Sequence, residues 1–231
     1  MFDRHFQPLQ KRLLDPPASW LAKRDISADA VTFLGFAVGL SVVPFLALGQ
    51  FMAALFVILV NRVLDGLDGA LARRTESTDR GAFLDITLDF VFYALVPFGF
   101  ALADPGANAL AAATLLLAFV GTGSSFLAFA VIAGRRGLLS TSYPAKGIYY
   151  LGGLTEGAET IAVFAAMCLW PTAFSAIAYG FAGLCAFTTI TRWWWGWRAF
   201  APDTSLVANE GLEPKATGAQ KPITTGDEFT S

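Results

Sequence analysis

The sequence predicts an all-α polytopic membrane protein, with six transmembrane helices and an N-terminal amphipathic helix at the membrane interface. Hydrophobic residues make up 55% of the 231-residue chain and charged residues only 15%. A soluble domain carries about 25% charged residues. The mean hydropathy is +0.55, and the apolar residues fall into long runs without a strand-like alternation, which is typical of helices that cross a bilayer.

Six apolar runs are separated by turn or polar residues and are read as the spans. They cover residues 31–48, 51–71, 82–103, 109–133, 156–170 and 172–194. We expect Pro44 to kink the first span, because proline lacks the backbone N–H and clashes with the preceding turn.

The distribution of basic residues predicts the orientation. Lys and Arg are absent from the turns after the first, third and fifth spans. They occur in the loops on the other side, as Arg73, Arg74, Arg80, Arg135, Arg136 and Lys146. Under the positive-inside rule both termini are cytoplasmic, which requires an even number of spans. These small basic patches lie against the membrane and do not support nucleic-acid binding.

Three segments follow from this pattern. Residues 1–25 mix charged and large apolar side chains, which favours a juxtamembrane amphipathic helix interrupted at Pro16 and Pro17; a solvated tail is the alternative. Residues 26–198 form the six-helix transmembrane domain. Residues 199–231 are rich in Thr, Gly, Pro and Ala, and predict a disordered cytoplasmic tail.

Acidic residues occur in a helical pattern at the end of the second span. Asp65 and Asp68 are three positions apart, so they share one helix face. Gly69 and Ala72 lie on the same face and carry almost no side chain, which predicts a notch where a ligand approaches the backbone. Arg73 is placed to close this notch and to make a charge-assisted contact with a phosphate.

A second acidic pair lies at the start of the third span. Asp85 and Asp89 are four positions apart, which puts them on one face and roughly 6 Å apart along the helix axis. The short segment 74–80 makes the two helices antiparallel neighbours, so the four carboxylates are expected to converge just inside the cytoplasmic boundary. Ordinary solvated aspartates are the alternative, but they do not explain why Asp89 lies two turns into an apolar run.

Four converging carboxylates need neutralising cations, because desolvated anions repel one another. Their hard oxygen atoms suit Mg²⁺ or Mn²⁺, and two such ions about 3.5–4 Å apart can clamp a diphosphate. Arg62, one turn earlier, is also expected to pair with the aspartates, and Asn61 is a candidate to support Asp65.

These residues carry a family resemblance. The chain reads Asp65-x-x-Asp68-Gly69-x-x-Ala72-Arg73, then seven residues, then Gly81-x-x-x-Asp85-x-x-x-Asp89. Every specified position resembles the signature of the CDP-alcohol phosphatidyltransferases, also called CDP-alcohol phosphotransferases, class I. The resemblance implies a homodimeric enzyme of phospholipid biosynthesis in the bacterial inner membrane. It would transfer a phosphatidyl or phospho-alcohol group from a CDP-linked donor to an alcohol and release CMP.

The resemblance also implies residue roles. Two Mg²⁺ or Mn²⁺ ions would be bound by Asp65, Asp68, Asp85 and Asp89, and Asp89 would also be the general base. The donor would be contacted by Gly69, Arg73, Thr32, Asp29 and Asp79. Family members often carry Asn where this chain has Asp29, so Asp29 is equally a candidate helix N-cap.

The acceptor is less well defined. CDP-diacylglycerol is the expected donor, as is common among short relatives. Glu156 and Glu159 loosely resemble a segment of choline and ethanolamine phosphotransferases, which use diacylglycerol as the acceptor; alternatively they complement a helix dipole. Lys146 and Arg135 suit a phosphorylated acceptor, or they are basic membrane anchors.

Two other functions fit part of the pattern. A membrane prenyltransferase also binds a diphosphate with Mg²⁺ and Asp-rich helices, but it has more spans and a second, distant Asp motif. A metal or small-solute transporter would need polar residues along a path across the bilayer, whereas the charges here cluster on one side.

Overall fold

The chain folds as an α-helical bundle in the computed structural model, which describes residues 3–75, 77–136, 155 and 157–201, with side-chain surroundings from residue 13 onward. The helices are α1 (Asp3–Ala22), α2 (Ala28–Leu40), α3 (Val42–Ala47), α4 (Phe51–Ala72), α5 (Asp79–Ala103), α6 (Pro105–Arg135), α7 (Gly157–Leu169) and α8 (Phe174–Ala199). A 3₁₀ turn, Pro171–Ala173, precedes α8. Within these described residues no strand occurs, so the predicted all-α class is confirmed. The predicted tail lies outside the described residues from 202 onward.

In the part of the chain that the structure describes, four segments are long and apolar enough to cross a membrane. They are Ala28–Ala47, Asp79–Ala103, Pro105–Arg135 and Pro171–Ala199. Helix α4 has 22 residues, but its second half contains Arg62, Asp65 and Asp68. Helix α7 has only 13 residues, which extends roughly 20 Å against a hydrocarbon core of about 30 Å. Six spans therefore stay a prediction that requires both α4 and α7 to cross.

A helix break is seen at one of the two sites where proline was expected to disturb the helix, and not at the other. The first span breaks at Ser41, between α2 and α3, and Pro44 lies in the first turn of α3. This break fits the missing N–H of Pro44. By contrast, α1 continues through Pro16 and Pro17, so the expected interruption there is wrong. Both prolines lie on the exposed surface of α1.

Helix α1 packs across the end of α4. Ala18 of α1 forms a buried cluster with Val31, Ala70 and Leu71 of the neighbouring helices. Nearby, an Arg74 Nη atom lies 3.4 Å from a carboxylate oxygen of Asp15. The cluster holds α1 against the end of α4 that carries the acidic residues. The location of α1 in the membrane interface stays a prediction.

Two glycines allow α2 to approach α4 and α5 closely. Gly35 and Gly39 are buried, and a Cβ atom on Gly39 would lie 2.9 Å from Asn61 Nδ2 and 2.9 Å from a ring carbon of Phe92. Small residues four apart are a common way for membrane helices to pack at short distance. The three helices therefore meet with little space between them, and this junction forms the walls of the candidate site.

A separate aromatic core joins the helices at the opposite end of α4. Phe51 of α4 stacks on Phe100 of α5, with ring centroids 5.6 Å apart, and Phe100 stacks on Phe174 of α8 at 4.4 Å. The surrounding buried cluster extends to α6 and α7. This core fixes the spacing of α4 and α5 at the end away from the aspartates.

Candidate active site

One cavity between α2, α4 and α5 contains the four predicted aspartates. It is lined by Thr32, Gly35, Phe36, Asn61, Arg62, Asp65, Asp68, Asp85, Leu88, Asp89 and Phe92. The two predicted acidic pairs thus line the same cavity. The volume open to a water-sized sphere is about 20 Å³, which is about the space that one water molecule requires.

Asp68 contributes the most buried carboxylate of the four. The residue is only 5% exposed, and its Oδ2 atom has no hydrogen-bond partner among the described residues. A buried carboxylate oxygen without a partner is costly, since the lost hydration is not replaced. The orphaned oxygen therefore marks a position where a cation or a ligand donor would be stabilising.

Arg62 lies among the carboxylates. Its Nη1 atom donates a 2.6 Å hydrogen bond to Asp89 Oδ1 and lies 3.6 Å from Asp65 Oδ2. The side chain of Arg62 is 17% exposed, and that of Asp89 is 30% exposed. The expected pairing of Arg62 with the aspartates is confirmed, and it links the acidic pair of α4 to that of α5.

The guanidinium group of Arg62 is held by further contacts. Asn61 Oδ1 accepts hydrogen bonds from Arg62 Nε at 3.0 Å and from Nη2 at 2.6 Å. Asn61 Nδ2 in turn donates to the backbone oxygen of Gly35 at 2.9 Å. The guanidinium carbon also lies 4.7 Å from the ring centre of Phe92. In these contacts Asn61 orients Arg62, in place of the expected support of Asp65.

The donor set of this cavity fits a hard divalent cation, because its acidic ligands are carboxylate oxygens and one of them is buried without a partner. However, no three acidic, histidine or cysteine side chains in the described part of the chain converge on a single ion position. Arg62 lies between Asp65 and Asp89. The residues therefore fit a metal by their chemistry, and closing around it would require this arginine to move.

The residues predicted to contact a donor are more dispersed. Thr32 lines the cavity. Arg73 is exposed at the end of α4, where its Nη1 atom lies 3.4 Å from the position of a Cβ on Gly69, so the two residues are neighbours as predicted. Asp79 is exposed in the first turn of α5. Among these four, only Thr32 faces the described cavity.

Asp29 makes a contact that its position in the sequence did not indicate. Its Oδ2 atom accepts hydrogen bonds from Arg80 Nε at 3.0 Å and Nη2 at 2.5 Å. The N-cap of α2 is Ser27, whose hydroxyl accepts from the Ala30 N–H at 3.2 Å. The alternative of Asp29 as the N-cap is therefore wrong, because Ser27 precedes the first helical residue and occupies that role.

The candidate acceptor residues are partly described. Glu159 lies in the first turn of α7 and Arg135 in the last turn of α6. A Cβ on Gly157, two residues before Glu159, would lie 3.3 Å from Tyr93 Oη, which itself accepts a 3.4 Å hydrogen bond from Arg62 Nη1. The start of α7 is thus close to the carboxylate cavity. Lys146 and Glu156 lie outside the described residues.

A buried arginine in α8 was not predicted as a site residue. Arg192 is buried, and its Nη1 atom donates to the Thr122 backbone oxygen at 2.9 Å. Its guanidinium carbon lies 5.7 Å from the ring centre of Phe126. The sequence signal for Arg192 is a charged residue within the apolar run 172–194, since charged residues inside membrane helices are commonly functional.

The comparisons with known proteins establish the family. The sequence model of the CDP-alcohol phosphatidyltransferases matches residues 25–198. The chain belongs to the CDP-alcohol phosphatidyltransferase family. CDP-alcohol phosphatidyltransferases are transferases of substituted phosphate groups, so the chain is an enzyme of this class. This result favours the predicted transferase over both the prenyltransferase and the transporter alternatives.

Relatives in this family come from several prokaryotes. The chain is 57% identical over 197 residues to the inner membrane protein YnjF of Escherichia coli, covering 85% of this chain and 96% of the relative. It is 32% identical over 189 residues to phosphatidylinositol phosphate synthase of Streptomyces avermitilis, covering 80% of this chain and 68% of that protein.

Solved structures share the fold. Phosphatidylinositol phosphate synthase of Mycobacterium tuberculosis with CDP-DAG bound superposes with a TM-score of 0.66 at 22% identity, covering 89% of this chain and all of that one. The same enzyme in complex with manganese and citrate gives 0.66 at 23% identity, covering 88% and 93%. At this identity the likeness concerns the fold alone.

Proposed function

We propose that this enzyme transfers the phosphatidyl group of CDP-diacylglycerol to an alcohol and releases CMP at the cytoplasmic face of a bacterial inner membrane. The observation that carries the proposal is the single cavity lined by all four signature aspartates. The donor is supported by a structural neighbour, a phosphatidylinositol phosphate synthase solved with CDP-DAG, and by a second such synthase that is 32% identical to this chain.

The four aspartates of the cavity would hold two Mg²⁺ or Mn²⁺ ions. When bound, such ions neutralise the charge of a diphosphate and stabilise the leaving phosphate. The buried, unpartnered Asp68 Oδ2 supports a cation at this position, and a structural neighbour of this chain contains manganese. Exposed Asp85 completes the set from the start of α5.

Asp89 would be the general base of the transfer. The acceptor hydroxyl oxygen attacks the donor phosphorus that carries the diacylglycerol group, and its proton passes to the Asp89 carboxylate. A new P–O bond forms to the acceptor. The P–O bond to the CMP phosphate breaks, and its electron pair leaves with CMP. The products are a phosphatidyl alcohol, CMP and one proton.

Residues at the rim of the cavity would bind the nucleotide part of the donor. Gly69 is partly exposed beside Arg73, whose positive charge would suit a phosphate. Thr32 lines the cavity wall. Asp79 and Asp29 are assigned less direct roles, and Asp29 would first have to leave its pair with Arg80.

A phosphorylated polyol is the proposed acceptor. This choice rests on the similarity to a phosphatidylinositol phosphate synthase and on basic residues in the segments that the sequence predicts to be cytoplasmic, among them Arg135 and Lys146. Glu159, near Tyr93, would bind its hydroxyl groups. A choline or ethanolamine-type reaction with diacylglycerol as acceptor is the other substrate pairing that the test must separate.

We also propose a homodimer, as the resemblance implies.

The test is a substrate panel with the purified chain in detergent and Mg²⁺. CDP-diacylglycerol is offered with inositol phosphate, glycerol phosphate or serine, and CDP-choline or CDP-ethanolamine is offered with diacylglycerol. CMP and the lipid product are quantified together. The proposal expects CMP from CDP-diacylglycerol with a phosphorylated polyol. Turnover only with CDP-choline or CDP-ethanolamine would overturn the donor assignment.

A further inference from the structure

The resemblance accounts for the aspartates of the cavity but assigns no role to Arg62. We propose that Arg62 is an internal counter-ion that competes with the divalent cation for Asp65 and Asp89, and so sets the metal affinity of the site. This inference rests on the proposed function of the aspartates. It makes Arg62 a positioning residue, which acts through carboxylates and not on the substrate.

Arg62 contacts the same carboxylates that would bind the cation. Its Nη1 atom donates to Asp89 Oδ1 at 2.6 Å, which is the distance of a strong, charge-assisted hydrogen bond. Its 3.6 Å distance to Asp65 Oδ2 adds attraction to a second carboxylate, one turn along α4 itself. A cation bound by the same two carboxylates would lie next to a positive guanidinium group in a partly buried site, where like charges repel more strongly than in water.

Arg62 is held in place by residues outside the acidic set. Two of its N–H groups donate to Asn61 Oδ1, and Asn61 is itself fixed by the Gly35 backbone oxygen. The guanidinium also lies over the ring of Phe92. None of these three supporting residues is an acidic ligand, so they orient the arginine towards the carboxylates independently of any metal.

Nη1 of Arg62 already has a second acceptor beside Asp89. Tyr93 Oη accepts a 3.4 Å hydrogen bond from the same Nη1 atom. A small rotation of the guanidinium can therefore release the carboxylate and keep the bond to the phenol oxygen, while the bonds to Asn61 hold the other side of the group. Displacement of Arg62 by a divalent cation then leaves the arginine hydrogen-bonded, without exposing a buried charge.

The test measures Mn²⁺ binding to the purified full chain in detergent, without donor or acceptor, by electron paramagnetic resonance of free Mn²⁺. Arg62→Gln removes the charge and keeps a group that can bond to Asn61. Because the competitor is gone, its Mn²⁺ dissociation constant should fall by about tenfold. Its melting temperature without metal should fall, while the rise on adding Mn²⁺ should exceed that of the wild type.

Arg74→Gln is the matched control, since Arg74 also pairs with an aspartate but lies outside the cavity lining. Its Mn²⁺ affinity should stay within about twofold of the wild type, because solvent and salt screen its charge. If Arg62→Gln does not fold, Arg62→Lys replaces it. Lysine cannot reproduce the planar fork, so the expected affinity lies above the wild type.

The outcomes separate this inference from the proposed function. Equal or weaker Mn²⁺ binding in both Arg62 variants, with binding lost in Asp85→Asn, would overturn the role of Arg62 and leave the metal site standing. Mn²⁺ binding by neither the wild type nor any variant would overturn both. Tighter binding in Arg62→Gln, with Arg74→Gln unchanged, supports the competition.

Discussion

The two ends of the α4–α5 pair are held together by opposite kinds of contact. At one end Phe51, Phe100 and Phe174 stack with centroid distances of 5.6 and 4.4 Å. At the other end Arg62 joins Asp65 and Asp89. Stacked rings have no exchangeable partner, whereas a carboxylate can exchange one cation for another. The aromatic end thus sets the helix spacing, and the charged end can change its ligands without unfolding the bundle.

The largest effect is expected from Asp89→Asn at the charged end. The rate of CMP release should fall at least about 10³-fold, because asparagine can neither accept the proton nor neutralise a cation. The fold should persist, since the amide oxygen still accepts a hydrogen bond from Arg62. Single-turnover CMP release by the variant checks this.

Asp15→Asn is the control for that experiment, because Asp15 pairs with Arg74 outside the cavity lining. Its rate should stay near the wild-type value. Wild-type turnover by Asp89→Asn would remove Asp89 from its assigned role as the base.

A second substitution tests the aromatic end. Phe100→Ala should lower the free energy of unfolding by about 3 kcal/mol, since it removes a fully buried ring that contacts two neighbours. The rate per folded molecule should change little. Unfolding in mixed micelles gives the first quantity and CMP release the second. Phe56→Ala is the control, because Phe56 is an exposed phenylalanine on α4 and should cost far less. Equal losses would show that this core does not set the helix spacing.

Gly39→Ala lies at the junction and should affect both properties moderately. The added Cβ would lie 2.9 Å from Asn61 Nδ2 and 2.9 Å from a ring carbon of Phe92. Overpacking of this kind costs about 1–3 kcal/mol, and a displaced Asn61 should also alter Mn²⁺ affinity. Gly180→Ala is the matched control, as nothing lies within 4 Å of its added Cβ. No change in either property for Gly39→Ala would contradict the close packing of α2.

The smallest effect is expected from Arg74→Gln. The pair with Asp15 spans 3.4 Å, and both side chains are substantially exposed. Such pairs contribute at most about 1 kcal/mol. Thermal unfolding at low and high salt should show a small difference that shrinks as salt rises. A loss as large as that of Phe100→Ala would mean that α1 is held to α4 mainly by this charge pair.

Helix periodicity predicted the acidic cavity because it depends only on the spacing of residues within one helix. Residues three and four apart share a helix face wherever the helix lies. Each aspartate pair could therefore be assigned to one helix face before the packing of the helices was known. The contact of Arg62 with Asp89 joins two helices, and it depends on their axial offset and rotation. Likewise, the residues next to Asp29 in the sequence do not indicate its pair with Arg80. The hydrogen bond from Asn61 to Gly35 depends on the close approach of α2 to α4.

The same distinction explains the two proline sites. Pro44 lies inside an apolar run of a predicted span, where lipid offers no donor for the carbonyl oxygen that the missing N–H leaves unpaired, and the helix breaks at Ser41, three residues earlier. Pro16 and Pro17 are exposed, and the buried packing of Ala18 holds α1 together beside them. A proline in the sequence predicts a possible helix break, and the packing around it decides whether the helix breaks.

Anomalous diffraction at the manganese edge, from crystals soaked in Mn²⁺, tests the central claim most directly. The account predicts anomalous density among the carboxylates of Asp65, Asp68, Asp85 and Asp89, with the Arg62 guanidinium turned away from Asp89. Anomalous density located elsewhere would contradict it. So would four carboxylates that bind no manganese while the Arg62–Asp89 bond stays in place.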